Sequence, residues 1–256
     1  MDFHSSQTQA GTAPIAPEIC DDMRKNKSVA GTDVPQTTNN QTVSDSSPTA
    51  NEWDNHWKRQ RTSIFGSLCT FYRRHFRARS VAYYFDRYFP TTGVFAECGS
   101  GSSETSCRIR LHQRKLIAID FSEEALSRAA RMPQISVCIR ADIRNLPFAD
   151  NSLDGIWNLG VMEHFEEDDQ LLILREFHRV VKPGGSVLLW WPPTAALDFL
   201  VLSPFGWQFP GEPGRISRTQ GLALMQAAGF EDCKVAFPMN DGFTQLVFHG
   251  IRDKQI

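Results

Sequence analysis

The chain has 256 residues, of which 41% are hydrophobic and 22% charged, with a formal net charge of −2 at pH 7. That size suits one α/β domain with appendages, and the near-neutral balance argues against a globally cationic nucleic-acid binder. Cys20, Cys69, Cys98, Cys107, Cys138 and Cys233 form no Cys-x-x-Cys and have no partnered histidine spacing, so no zinc site, no other metal and no disulfide framework is expected.

No apolar run reaches the roughly 18 residues of a membrane span, and the amino terminus lacks the basic and apolar regions of a secretory signal. A reducing cytoplasm is the expected compartment. Residues 1–50 are rich in Ser, Thr, Gln, Asn, Gly and Pro and carry too few apolar residues to offset the entropy of ordering, so they read as a disordered tail. A helical cap is expected over 51–92. It begins at Trp53 and Trp57, continues with Ile64, Leu68, Phe71, Tyr72 and Phe76 at three- and four-residue steps, and then Val81, Tyr84, Phe85 and Tyr88. Pro90 and Gly93 punctuate the entry to the first strand.

From residue 93 to the end the pattern alternates strand and helix. Strands are expected at 94–97, 116–119, 135–139, 153–158 and 187–191, with helices at 104–112, from Ser122 onward, and at 168–181 with a stripe through Leu171, Leu174, His178 and Val181. Ser122 is a good N-cap, with Glu123 and Glu124 complementing the helix dipole. Lys182-Pro183-Gly184-Gly185 stops the helix at 168–181. A last helix at 219–228 and strands at 233–237 and 243–251, joined through 238–242 as a hairpin, complete the chain. Short strands separated by helices specify a doubly wound, mostly parallel, seven-stranded sheet of Rossmann-like form.

Ligands of such sheets lie beyond the carboxyl ends of the strands, which singles out Glu97, Asp120, Asp142 and Asn158. Glu97 opens the turn Cys98-Gly99-Ser100-Gly101-Ser102-Ser103, where glycines let a bulky ligand approach the backbone and a helix behind would offer unpaired N–H groups. An adenosine-containing cofactor is the first hypothesis. Asp120 follows Gly99 by 21 residues, near the roughly 20-residue spacing at which a carboxylate accepts from two ribose hydroxyls. Capping of the following helix is the alternative for Asp120. Asp142, just past the third strand, suits an adenine amino group, with loop capping as its alternative.

Together these motifs resemble the class I S-adenosylmethionine-dependent methyltransferases, in the broad group that holds ubiquinone-biosynthesis and related small-molecule enzymes. The resemblance rests on Glu97-Cys98-Gly99-Ser100-Gly101, Ile119-Asp120-Phe121-Ser122, Ala141-Asp142, Leu146-Pro147-Phe148-Ala149-Asp150-Asn151-Ser152-Leu153-Asp154, Leu159-Gly160-Val161-Met162-Glu163-His164-Phe165 and Arg179-Val180-Val181-Lys182-Pro183-Gly184-Gly185. It implies S-adenosylmethionine as cofactor. Glu97, Gly99, Ser100 and Gly101 would lie at its methionine part, Asp120 at the ribose, Phe121 against the adenine face, and Asp142 with the Ile143 backbone at the adenine. The backbone near Asn158 and Leu159 would meet the methionine amino group. Ser103 stands where the family often has a third glycine, a departure that serine's small size tolerates. The family's antiparallel seventh strand, which dinucleotide dehydrogenases lack, suits the closing hairpin.

The resemblance further implies methyl transfer by in-line displacement, with positioning and desolvation carrying most of the rate. A small-molecule acceptor, apolar or aromatic, is expected. A catalytically silent subunit that binds the cofactor and acts through a partner is the alternative, and alkene methylation of the cyclopropane-synthase kind ranks below both. Glu163 and His164 are the candidate catalytic residues, His164 as base because its ordinary pKa suits the task, with packing or hydrogen bonding as the alternative. Trp53 and Trp57, four apart, share a helix face. A similar pair in thiopurine-type methyltransferases lies over the cofactor, and stapling onto the sheet is the alternative. The aromatic insertion at 192–218 reads as a substrate lid. In 52–89 the cations Lys58, Arg59, Arg61, Arg73, Arg74, Arg77, Arg79 and Arg87 outnumber Glu52, Asp54 and Asp86, which would suit an acidic substrate, nucleic acid or an anionic membrane. A solvated helix face is preferred there. The oligomeric state is not legible.

Overall fold

The computed structural model describes residues 30–31, 49–62, 64–193, 215–238 and 245–254. In chain order these form β1 (Ala30–Gly31), α1 (Ala50–Thr62), α2 (Ile64–Tyr72), a π-helical turn (Arg73–Arg77), α3 (Ala78–Tyr88), β2 (Thr92–Cys98), a 3-10 turn (Glu104–Arg108) and β3 (Gln113–Asp120). They continue as α4 (Glu123–Ala129), β4 (Ile135–Arg140), β5 (Leu153–Leu159), a second 3-10 turn (Met162–His164), α5 (Glu167–Val180), β6 (Val181–Trp191), α6 (Arg218–Ala227), β7 (Phe230–Ala236) and β8 (Leu246–Arg252).

The strands lie in the order β1-β4-β3-β2-β5-β6-β8-β7. β1 through β6 pair in parallel, and β8 runs antiparallel to both β6 and β7. Seven strands form the body, and the two-residue β1 pairs with Ile139 and Arg140 at its edge, inside the stretch expected to lack structure. The chain departs from β2 in opposite directions, to β3 and β4 on one side and β5 and β6 on the other. That places the ligand-binding crevice of the fold at the carboxyl ends of β2 and β5.

Both sheet faces are covered, which is why the central strands are apolar on alternate residues of both registers. Ala96, Ile117, Ile119, Ile156 and Leu189 pack toward Ile173, Leu174 and Phe177 of α5 and Met225 of α6. Phe95, Leu116, Trp157, Leu188 and Trp190 pack toward Val81 and Phe85 of α3 and Leu126 of α4. There the Phe85 ring meets Trp157 edge-on at 5.1 Å and Phe95 at 5.4 Å, the aromatic geometry worth about 1 kcal/mol per pair beyond burial. The strand period puts Glu97 and Asp120 on this α3–α4 face and Asn158 on the other.

Three expectations are corrected. The helix at 104–112 is only the 3-10 turn Glu104–Arg108: Ser103 enters it from a left-handed φ of 51°, and Ile109 leaves it extended and buried. No helix dipole therefore stands behind the glycine turn. The buried stripe of α5 is Gln170, Ile173, Leu174, Phe177 and Val180, displaced from the expected one because the helix runs Glu167–Val180. Lys182-Pro183-Gly184-Gly185 lies inside β6, where the partner of Leu153 is Val181 and that of Gly155 is Ser186, so the four residues bulge from the ladder. The stretch with Leu68, Phe71 and Phe76 is helical as its spacing predicts, and these three side chains face solvent. α3 does bury its apolar side, with Ala78, Val81, Tyr84 and Phe85.

Candidate active site at the carboxyl ends of the strands

The floor of the crevice begins at Glu97. On the α3–α4 face beside Trp157 it is almost fully enclosed, and it accepts hydrogen bonds from Ser106 Oγ (2.9 Å) and Thr105 Oγ1 (3.3 Å). Burial pushes its carboxyl up to about 7, the two hydroxyl bonds opposing the rise. Glu97 thus ties the 3-10 turn to the strand end. The intervening turn has Gly99 at φ 69° and Gly101 at φ 50°, followed by Ser103 in the same left-handed region. Ser103 accepts the conformation a third glycine would hold, at a backbone cost of about 1 kcal/mol.

Asp120 ends β3 with its carboxylate clamped by backbone donors: Oδ2 accepts from Gly101 N (2.8 Å) and Oδ1 from Ser122 N (2.9 Å). One carboxylate therefore joins the glycine turn to the start of α4. Burial raises its pKa to about 6, those backbone bonds opposing and the nearby Asp54 charge adding to the rise. Each carboxylate oxygen retains a second lone pair. Ser122 takes the helix-capping role itself, accepting from Ala125 N at 3.1 Å. Phe121 is half-buried beside it, and its carbonyl accepts from Arg140 Nε at 3.0 Å.

Asp142 follows β4, where it accepts from Arg144 N (2.8 Å) and in forked fashion from Arg144 Nε (3.1 Å) and Nη2 (2.8 Å). Arg144 also binds Asp169 in the first turn of α5. Asp142 is thus held in a local turn with a shared carboxylate, and Ile143 beside it is buried.

Across the crevice, Asn158 at the end of β5 is fully buried. Its Nδ2 donates to Cys98 O at 2.9 Å, while Oδ1 has no hydrogen-bond partner among the described residues. A buried amide oxygen left so is costly unless a donor meets it. Leu159 is half-buried, and Gly160 turns the chain at φ 67° into the second 3-10 turn, which buries Glu163 and His164. A methyl placed on Gly160 would stand 3.4 Å from Glu163 Oε1, 3.9 Å from Arg77 Nη1 and 4.0 Å from Gln245 Nε2.

Helix α1 forms the roof. Asp54 accepts from Ser122 Oγ (2.5 Å) and Glu124 N (3.3 Å), and Arg128 donates to Trp57 O (2.5 Å). The indole of Trp57 is buried over Gly101, flanked by Arg73 and Arg128 at 5.2 and 5.6 Å from its ring centroid. A Cβ on Gly101 would stand 2.5 Å from that indole. The indole of Trp53 meets His164 edge-on at 5.0 Å. The two tryptophans therefore sit over the two walls of the crevice, one on the glycine turn and one on the turn after β5.

Glu97, Gly99, Ser100, Gly101, Asp120 and Phe121 come together on one side, and Asn158, Leu159, Glu163 and His164 on the other. Asp142 and Ile143 stand at the β4 edge. The expected lid at 192–218 lies mostly outside the described residues, whose part is the parallel bridge between Pro193 and Ile216. The loop of the closing hairpin falls outside them too. Asp54, Arg77 and Gln245 escaped sequence reading, since each reaches the crevice from a distant element with no motif around it. Only the Asp54 position, between two tryptophans one helical turn apart, hinted at a functional face.

The residues fit S-adenosylmethionine. The Asp120 carboxylate keeps lone pairs beyond its two backbone bonds, and the buried Asn158 Oδ1 has no partner among the described residues, so both can accept from the hydroxyl and ammonium groups such a cofactor carries. Residues 96–189 match the methyltransferase domain family. The malonyl-[acyl-carrier protein] O-methyltransferase of Erwinia pyrifoliae is 35% identical over 135 residues, covering 52% of this chain and 49% of that one. The demethylmenaquinone methyltransferase of Desulfitobacterium hafniense is 36% identical over 100 residues, covering 34% of this chain and 38% of that one. The chain spans about half, or less, of the length of the curated relatives it matches. Among solved structures, an S-adenosylmethionine-dependent methyltransferase from Thermotoga maritima superposes with a TM-score of 0.59 at 19% identity, over 79% of this chain and all of that one, which speaks to the fold alone. Residues 96–189 thus form a methyltransferase domain, similar to those of S-adenosylmethionine-dependent enzymes.

Proposed function

We propose that the protein transfers the methyl group of S-adenosylmethionine to a small-molecule acceptor with an apolar or aromatic body, by in-line displacement, and does so in the cytoplasm. The observation that carries the reading is the pairing of a clamped carboxylate, Asp120, with an unspent buried amide oxygen, Asn158 Oδ1, across one crevice roofed by two tryptophans. When bound, the cofactor supplies an electrophilic methyl carbon on a positively charged sulfur.

The protein's part is holding, orienting and drying. Asp120 accepts from the ribose hydroxyls through its remaining lone pairs, and Asn158 accepts from the methionine ammonium. Trp57 closes the glycine turn against water, and Trp53 presents an aromatic wall beside His164, which suits a flat or apolar acceptor. His164 takes the proton of a hydroxyl or thiol acceptor, and Glu163 beside it, with Arg77 and Gln245, orients the acceptor's polar end at Gly160. Demethylmenaquinone and malonyl-[acyl-carrier protein], the substrates named for two relatives, differ in chemistry. The first is the better guide, because the Trp53 wall is aromatic.

Titration calorimetry with S-adenosylhomocysteine tests the binding half, and failure to bind overturns the reading. An acceptor screen with a labelled methyl donor tests the chemistry. Binding without transfer to any acceptor would instead favour a silent subunit that works through a partner. With an acceptor in hand, His164→Ala is expected to lower turnover about 100-fold and to remove the lower inflection of its pH profile. An unchanged profile would reduce His164 to packing.

A further inference from the structure

The helical cap has an outer side that the methyl-transfer reading does not use. α2, the π-helical turn and α3 form one continuous helical path, and Leu68, Phe71, His75, Arg79, Tyr83 and Arg87 recur along it at three- and four-residue steps, all exposed. Leu68 is 61% exposed, Tyr83 55%, Phe71 54% and Phe76 44%, and among the described residues only Leu172 is another large hydrophobic residue as open as these. Isolated exposed apolar residues are ordinary, but four on one short path mark an interaction surface.

Charge on this side has one sign. Between residues 64 and 88 the chain carries Arg73, Arg74, Arg77, Arg79 and Arg87 against the single acid Asp86. Asp86 is held by Arg114, and the neighbouring Glu104 stands 4.0 Å from Arg73. Arg108 joins the face, its Nε donating to Arg74 O at 3.2 Å, and lines a shallow groove with Phe71, Arg74 and His75. An occupant must therefore be anionic and must also take up aliphatic and aromatic side chains. Nucleic acid would satisfy the arginines and stack on aromatic rings, but the most exposed of the apolar residues is a leucine, which has no ring to offer. A lipid interface satisfies both demands, with phosphates for the guanidinium groups and an acyl boundary for leucine and phenylalanine.

We propose that the outer face of α2, the π-helical turn and α3 docks this protein on an anionic lipid surface. Leu68, Phe71 and Phe76 enter the headgroup boundary, and Arg74, Arg79 and Arg108 meet lipid phosphates. Arg73, on the same turn, lies over Trp57, so docking brings the crevice roof close to the bilayer. The proposal does not depend on the acceptor or on catalysis.

Sedimentation of the full chain with phosphatidylcholine vesicles, with and without phosphatidylserine, tests it at about 0.15 M salt, where exposed charges more than ~8 Å apart are screened. Binding is expected only with phosphatidylserine. It should fall at least about tenfold in the pair Arg74→Glu with Arg79→Glu, as each interfacial cation contributes roughly fivefold, and similarly in the pair Leu68→Ser with Phe71→Ser. Leu172→Ser is expected to bind as the wild type does. Equal S-adenosylhomocysteine affinity in all variants certifies their fold; if a pair loses it, Arg79→Gln and Leu68→Ser singly replace that pair. No vesicle binding at low salt, binding unaltered by either pair, or RNA that displaces the protein fully from vesicles would each overturn the proposal.

Discussion

The floor and the roof of the crevice are positioned by different means. Glu97, Asp120 and Asn158 each sit at the end of a parallel strand, and the ladder of β3, β2 and β5 fixes their separation before any side chain acts. The roof, α1, belongs to no ladder. It is fastened by Asp54 to Ser122, 68 residues away, by Arg128 to the Trp57 carbonyl, and by Trp57 lying on Gly101. A floor built into the sheet core opens only with the whole domain, whereas a roof held by a few latches opens at a fraction of that free energy. The crevice thus combines a preformed grip with a separable cover.

The largest test of this contrast is Asp120→Ala. It removes the acceptor of two backbone N–H groups as well as the proposed ribose contact, so S-adenosylhomocysteine affinity should fall about 100-fold, two charge-assisted bonds at about 1.5 kcal/mol each. Undiminished affinity by calorimetry would sink the assignment. In the wild type, affinity should fall as pH drops through about 6, where Asp120 takes up a proton.

Gly101→Ala comes next, because it sets floor against roof. Its Cβ would stand 2.5 Å from the Trp57 indole on a backbone at φ 50°, for a loss of about 1–3 kcal/mol. Adding Trp57→Ala should recover the steric share and leave the backbone share, a non-additivity that thermal unfolding of the double-mutant cycle measures. Strict additivity would show that the indole does not rest there.

Glu97→Gln separates grip from fold. Burial raises the Glu97 carboxyl from 4.5 to about 7, so between those values the native state holds more protons than the unfolded chain and stability falls as pH rises. Glutamine keeps an acceptor for Ser106 without the buried charge. The variant should therefore melt higher than the wild type at pH 8, by about 1–3 kcal/mol, and the gap should close near pH 5. Its S-adenosylhomocysteine affinity should hardly change if Glu97 serves the turn, and should fall if Glu97 also contacts the ligand.

Asp54→Ala is the mildest change. It unlatches α1 at a cost of about 1 kcal/mol and should speed S-adenosylhomocysteine release several-fold in stopped flow, with little loss of global stability. An unaltered release rate would mean that α1 is no cover.

Strand and turn chemistry were legible because they are local. A strand's period and a glycine turn are written in consecutive residues, so the parallel sheet, the strand-end carboxylates and the antiparallel closing strand could be read in order. The helix expected at 104–112 failed for an equally local reason that spacing does not reveal: Thr105 and Ser106 satisfy Glu97 with their hydroxyls, and Ile109 must leave the turn to reach the core. Asp142 showed both of its readings' requirements, a strand-end position and a local turn, and sequence alone could not weigh Arg144 against an adenine.

Periodicity also could not tell a core stripe from a surface one. Leu68 and Phe71 are three residues apart, as are Val81 and Tyr84, yet only the second pair meets the core on the sheet. What the residue order determined by itself was the run of elements and the chemistry at their ends, since hydrogen bonding and strand period act between near neighbours. Which helix face found a partner, and that Asp54, Arg77 and Gln245 share the crevice with Asp120 and Asn158, was decided by tertiary packing alone, because burial depends on what the rest of the chain leaves uncovered.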